Sequence, residues 1–166
     1  MGDITLGKYE VTTGNGKVVL DLDDLIKVTR DLSEEFTRQP TVYAYVAMLA
    51  AQAETIHTEA KRLMDIAESQ AQIDVRKTLL RDDERATDKR VEAEARMTKM
   101  YNEANEYELA CREQYFILKA ITTALEQRAQ MLSQLGAHLR SEADMTGMLV
   151  SDVKKKLRMA RQNAST

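Results

Sequence analysis

A chain of 166 residues with a net charge of −3 is expected to form one domain with small appendages, and its overall charge is not that of a generic polyanion binder. Apolar residues make up 43% but aromatics only 5%, with six glycines and one proline, which suits long helices and excludes an aromatic-rich β core. The single cysteine, Cys111, cannot form an internal disulfide and reads as a small core residue.

The opening MGDITLGKYE lacks the apolar core of a signal peptide. Gly2 invites myristoylation, but Leu6 stands where that signal wants Ser or Thr. The longest apolar run, Val42 to Ala51, is too short to span a bilayer, so a soluble, reducing, cytoplasmic setting without membrane attachment is expected. Residues 1–21 hold a β-hairpin arm, Lys8–Thr12 and Lys17–Leu20 around the turn Thr13-Gly14-Asn15-Gly16. Two strands alone are marginal, so the arm is expected either to dock on something else or to move.

Residues 22–146 form a helical core. Asp21 or Asp23 caps a helix over about 23–38, and Pro40 opens the next one, over 40–81. That helix carries Val42, Val46, Leu49, Ala53, Ile56, Ala60, Leu63 and Ala67 at alternating four and three spacing. Its register then slips onto a displaced stripe of Ile66, Ile73 and Leu80. A bend near residue 84 follows, with Thr87 capping a final helix over 88–140.

In that last helix a seven-residue series runs Met97, Ala104, Cys111, Leu118, Leu125, Leu132 and Leu139, widened by Ile117, Ile121 and Leu135. No Gly or Pro interrupts it between Lys89 and Leu135, giving a rod of roughly 80 Å. The expected fold is therefore all-α: a long antiparallel helical hairpin or coiled-coil bundle, with Leu49 opposite Leu118–Leu125. Leu118, Ile121, Leu125, Leu132, Leu135 and Leu139 form its core and oligomerisation seam. Gly136 marks either a close helix approach or a fraying end. Residues 147–166 form a separate basic helix and tail.

No phosphate loop, nucleophile elbow or cysteine pair is present, so no enzyme and no cofactor is expected. Glu54 and His57 match half of a di-iron motif, but Leu135 stands where a second motif before His138 needs Glu, and His57 reads as a solvated histidine with no metal. Charge placement is more informative. Residues 1–35 are net −4, whereas the last sixteen are net +4, through Lys154, Lys155, Lys156, Arg158 and Arg161 against Asp152. A second basic group, Arg76, Lys77, Arg81, Arg85, Lys89 and Arg90, surrounds the bend. Interleaved acids allow either an ion-paired solvated bend or a surface that tracks phosphates. Tyr101 and Tyr107 offer stacking faces to unpaired bases or pack on the seam.

The stretches LSEEFTRQPTVYAYVAMLA (Leu32–Ala50) and LKAITTALEQRAQMLSQLGAHLR (Leu118–Arg140) resemble tailed-phage recombination mediators of the UvsY type, over roughly residues 22–140. The resemblance implies a non-enzymatic helical protein that assembles into a ring, a heptamer in UvsY itself. Such a ring binds single-stranded DNA, helps displace single-strand-binding protein and loads a RecA-like recombinase. The family's DNA-binding bases would correspond to Arg76, Lys77 and Arg81. The competing expectation is a phage scaffolding protein or assembly chaperone, which needs the heptads but no DNA.

Overall fold

The computed structural model describes residues 5–163 except Asn15 and Arg30, with side chains described through Gly147. Strands β1 (Lys8–Thr13) and β2 (Gly16–Asp21) form an antiparallel hairpin, followed by helices α1 (Leu22–Ile26), α2 (Leu32–Arg81), α3 (Asp88–Arg96) and α4 (Lys99–Asn163). The architecture is a long helical hairpin of α2 against α3 and α4, with the strands laid on one end.

The strands form where expected, and the turn closes through Gly16, whose φ of 124° favours glycine. The arm docks on its own helices. Val11 and Leu20 turn inward and join Val46, Leu49, Ala53, Leu118, Ile121 and Leu125 in one core, so a marginal two-stranded element gains an apolar face to bury. Burying each of Leu118, Leu125 and Leu132 contributes about 1.5–3 kcal/mol. Leu49 lies opposite Leu118 and Leu125 as its spacing predicts. Farther along, α2 offers Ala53, Ala60, Ala67 and Ala71, small residues that let the helices approach closely, and the core narrows toward Val91 and Ala95.

Several boundaries differ from the sequence expectation. The helix predicted over 23–38 is two pieces. Asp21 caps α1 by accepting from the Asp24 N–H, and Lys27 is extended. Asp31 then caps α2, accepting from the N–H groups of Ser33 and Glu34. Pro40 consequently lies inside α2 rather than at its start. A proline there leaves the Phe36 carbonyl without its helical donor and costs about 3 kcal/mol. The Asp31 cap and the buried bonds of Glu35 and Gln39, on either side of Phe36, hold the turn in place.

The rod predicted over 88–140 breaks at Met97 and Thr98. The Thr98 hydroxyl donates to the Ala95 carbonyl (2.7 Å) and accepts from the Tyr101 N–H (3.3 Å), ending α3 and starting α4 with one side chain. Thr87 stands at the cap of α3, but its side chain makes no capping bond. At the far end α4 runs on through Gly136 and Gly147 to Asn163, so the basic segment at 147–163 continues the same helix. A Cβ on Gly136 would meet the Phe36 ring at 3.0 Å, which identifies the close approach rather than a frayed end.

Candidate nucleic-acid interface

The bend between α2 and α3 gathers the bases singled out in the sequence. Asp83 turns the chain with a φ of 55°, and the Asp82 and Glu84 N–H groups close onto the Thr78 and Leu79 carbonyls. Most of the bases are occupied by acids. Arg76 bonds Asp88 (2.6 Å), Lys77 lies 3.9 Å from Asp74, and Arg81 bonds Asp82 (3.3 Å). Arg90 donates to both Glu94 and Glu84, and those carboxylates, Glu94 first, push its guanidinium above the ordinary arginine value. Arg85 and Lys89 are exposed and have no ion-pair partner among the described residues.

From Asp74 to Arg96 seven bases face seven acids, so the bend carries no positive excess for a phosphate chain to use. Each exposed pair contributes only about 0–1 kcal/mol, but a phosphate must still displace a carboxylate already in place.

The other basic group lies on the terminal stretch of α4. From Ala137 to Gly147 every residue is exposed, and α2 begins too far down the hairpin to cover it. The helical backbone continues through Lys154, Lys155, Lys156, Arg158 and Arg161. The side chains of these five lie outside the described residues.

The leucine seam is divided. Leu118, Ile121 and Leu125 are buried within the chain in the core shared with α2 and the strands, and Leu132 is buried farther along α4. Leu135 and Leu139, 40% and 44% exposed, face out. The displaced stripe on α2 is exposed along its length, with Ile66 50%, Ile73 49% and Leu80 66%, and Leu63, expected in the packed series, is 43% exposed as well.

Three polar side chains missed by sequence reasoning hold the opposite end. Arg128 is buried and donates to Glu35, to Gln39 and to the carbonyls of Ile26 and Lys27. Gln39 in turn donates to the Leu125 carbonyl at 2.7 Å. Glu35 accepts from the Thr29 N–H at 2.7 Å, and that bond, against the cost of burial and with help from Arg128, holds its carboxyl below the ordinary range. The signal was spacing: Leu118, Ile121, Leu125, Arg128 and Leu132 alternate by three and four, which places Arg128 on the seam.

His57 is not solvated as expected. It bonds Glu108, itself buried, at 3.0 Å and stacks on Tyr115, while Glu54 accepts from the Tyr115 hydroxyl at 3.4 Å. Glu54 and His57 therefore both bridge the two long helices, and among the described residues no acidic, histidine or cysteine cluster could hold a metal. Tyr107 is exposed, and the neighbouring Cys111 raises its pKa. Tyr101 is half-buried.

No described helix is long and apolar enough to cross a membrane. Compared with known proteins, the chain matches no family model, no curated protein sequence and no solved structure.

Proposed function

We propose that this chain is a non-enzymatic recombination mediator: a homo-oligomer that binds single-stranded DNA, helps displace single-strand-binding protein and loads a RecA-like recombinase. The observation that carries the reading is the run of α4 beyond its exposed residues 137–147, a helix that carries five bases in sequence past a body whose other basic cluster is neutralised. In this reading Lys154, Lys155, Lys156, Arg158 and Arg161 contact the strand, and Arg85 and Lys89 add to them at the bend.

Assembly supplies the affinity. A few bases per subunit become a strong polyanion site when several copies present them together. The surface that fits this role is the stripe Ile66, Ile73 and Leu80, with the exposed Leu63 beside it and Leu135 and Leu139 on α4, because apolar residues at heptad-like spacing on an exposed helix favour a partner helix. The same stripe also supports the rival reading, a structural coiled coil that never meets DNA.

Fluorescence anisotropy with a labelled oligonucleotide at two salt concentrations separates the two. A mediator binds, and its affinity falls steeply with salt. A scaffold leaves the anisotropy flat.

A further inference from the structure

The two edges of the β-hairpin are treated differently. Thr12 on β1 turns its N–H and C=O outward, and the Gln114 amide on α4 takes both, accepting at 2.9 Å and donating at 2.7 Å. In an antiparallel ladder such outward residues alternate, so Lys8, Glu10 and Thr12 face out from β1, and Lys17, Val19 and Asp21 from β2. The β1 edge therefore abuts α4. The β2 edge is open, and the main-chain groups of Lys17 and Val19 have no partner there among the described residues. Val19 also presents its side chain to solvent, 59% exposed, although its neighbours Val18 and Leu20 pack inward.

We propose that the β2 edge binds the β2 edge of a second copy of this chain, antiparallel about a two-fold axis through Val19. The occupant follows from self-complementarity. With Val19 opposite the partner's Val19, Lys17 falls opposite the partner's Asp21 and Asp21 opposite the partner's Lys17. Opposite charges directly across a strand pair are stabilising, and the two valines form an apolar pair between them.

The charge order extends inward, because Lys8 already lies 4.0 Å from Asp21 within the chain. Each flank of the four-stranded sheet then alternates Lys8, Asp21 and the partner's Lys17. Pairing through β1 would instead set Glu10 against the partner's Glu10, a like-charge contact, and would meet Gln114 on the way. A contact this short is weak alone and acts as a second link within the helical assembly. It does not depend on DNA binding.

Disulfide trapping of the full chain tests it, in a Cys111→Ser background. Residues paired at a two-fold axis as a hydrogen-bonded strand pair have Cα atoms about 5.5 Å apart, within disulfide reach. Val19→Cys should therefore form a covalent dimer under mild oxidation. Glu10→Cys, on the same face but one strand inward, would sit roughly 14 Å from its mate across three strand spacings and should not. Adding Lys17→Asp to Val19→Cys opposes two acids across the axis and should lower the dimer yield. Equal linking of the two cysteines, or none by either, overturns the proposal, and a yield indifferent to Lys17→Asp overturns its register.

Discussion

Arg128 on α4 and Glu35 on α2 meet in the interior of the hairpin, with side chains only 5% and 1% exposed. Two charges can sit there because both side chains are hydrogen-bonded beyond the pair itself: the Thr29 N–H donates to Glu35, and Arg128 donates to Gln39 and to the Ile26 and Lys27 carbonyls. Removing one partner leaves the other buried and uncompensated. Arg128→Ala should therefore cost about 3–5 kcal/mol in urea unfolding. Arg62→Ala, which breaks an exposed pair with Glu59, should change stability by at most about 0.5 kcal/mol.

The same carboxylate sets the acid limit. Glu35 is held below its ordinary pKa in the folded chain, chiefly by the Thr29 N–H. A depressed folded value means that its stabilisation is complete above the unfolded carboxylate range and is lost as pH falls through the folded one. Stability should fall on acidification below the ordinary glutamate range, and Glu35→Gln should flatten that slope. An acid limb identical in the two proteins would assign it to other carboxylates.

The two glycines of α4 should both gain from alanine. Nothing lies within 4 Å of a Cβ on Gly147, so Gly147→Ala should add helicity worth about 1 kcal/mol locally. At Gly136 the Cβ meets the Phe36 ring at 3.0 and 3.3 Å. That ring is 43% exposed in the first turns of α2 and can swing outward. Gly136→Ala should thus stabilise by a smaller margin, about 0.5 kcal/mol, and by more in a Phe36→Ala background. Thermal unfolding of the four variants reads both effects.

Exposure separates folding from assembly. Leu125 is fully buried within the chain, and Leu125→Asp should unfold the protomer, seen as lost ellipticity. Ile73 is half exposed on α2, and Ile73→Asp should keep the helices yet lower the sedimentation coefficient. An Ile73→Asp protein with unchanged sedimentation would move the assembly surface to Leu135 and Leu139.

Periodicity made the hairpin legible: α2 ends at Arg81 and α3 begins at Asp88 as expected, because apolar spacing and the charged bend both mark the turn. Other features left weaker traces. The stop at Lys27 carries no Gly or Pro, whereas Pro40, the strongest local breaker, is overruled by the buried bonds of Glu35 and Gln39 in the turn before it. The break at Thr98 depends on one hydroxyl placed between two helix ends, which no apolar count detects. Counting only apolar residues along the last helix hid Arg128 and Glu108, polar side chains buried on the same seam, Arg128 midway between the flanking Ile121 and Leu135. The bend bases were legible as residues but not as a site, since only their geometry pairs them with acids.

The most direct test of the proposed function is the salt dependence of oligonucleotide binding in the whole chain, in a chain lacking residues 151–166, and in Arg76→Ala/Lys77→Ala. Each phosphate contact on a single strand contributes about 0.7 to the slope of log affinity against log salt. The account predicts a clear loss of affinity and slope in the truncated chain and little change in the double variant. Full affinity without the tail, or no binding by the whole chain, would contradict it.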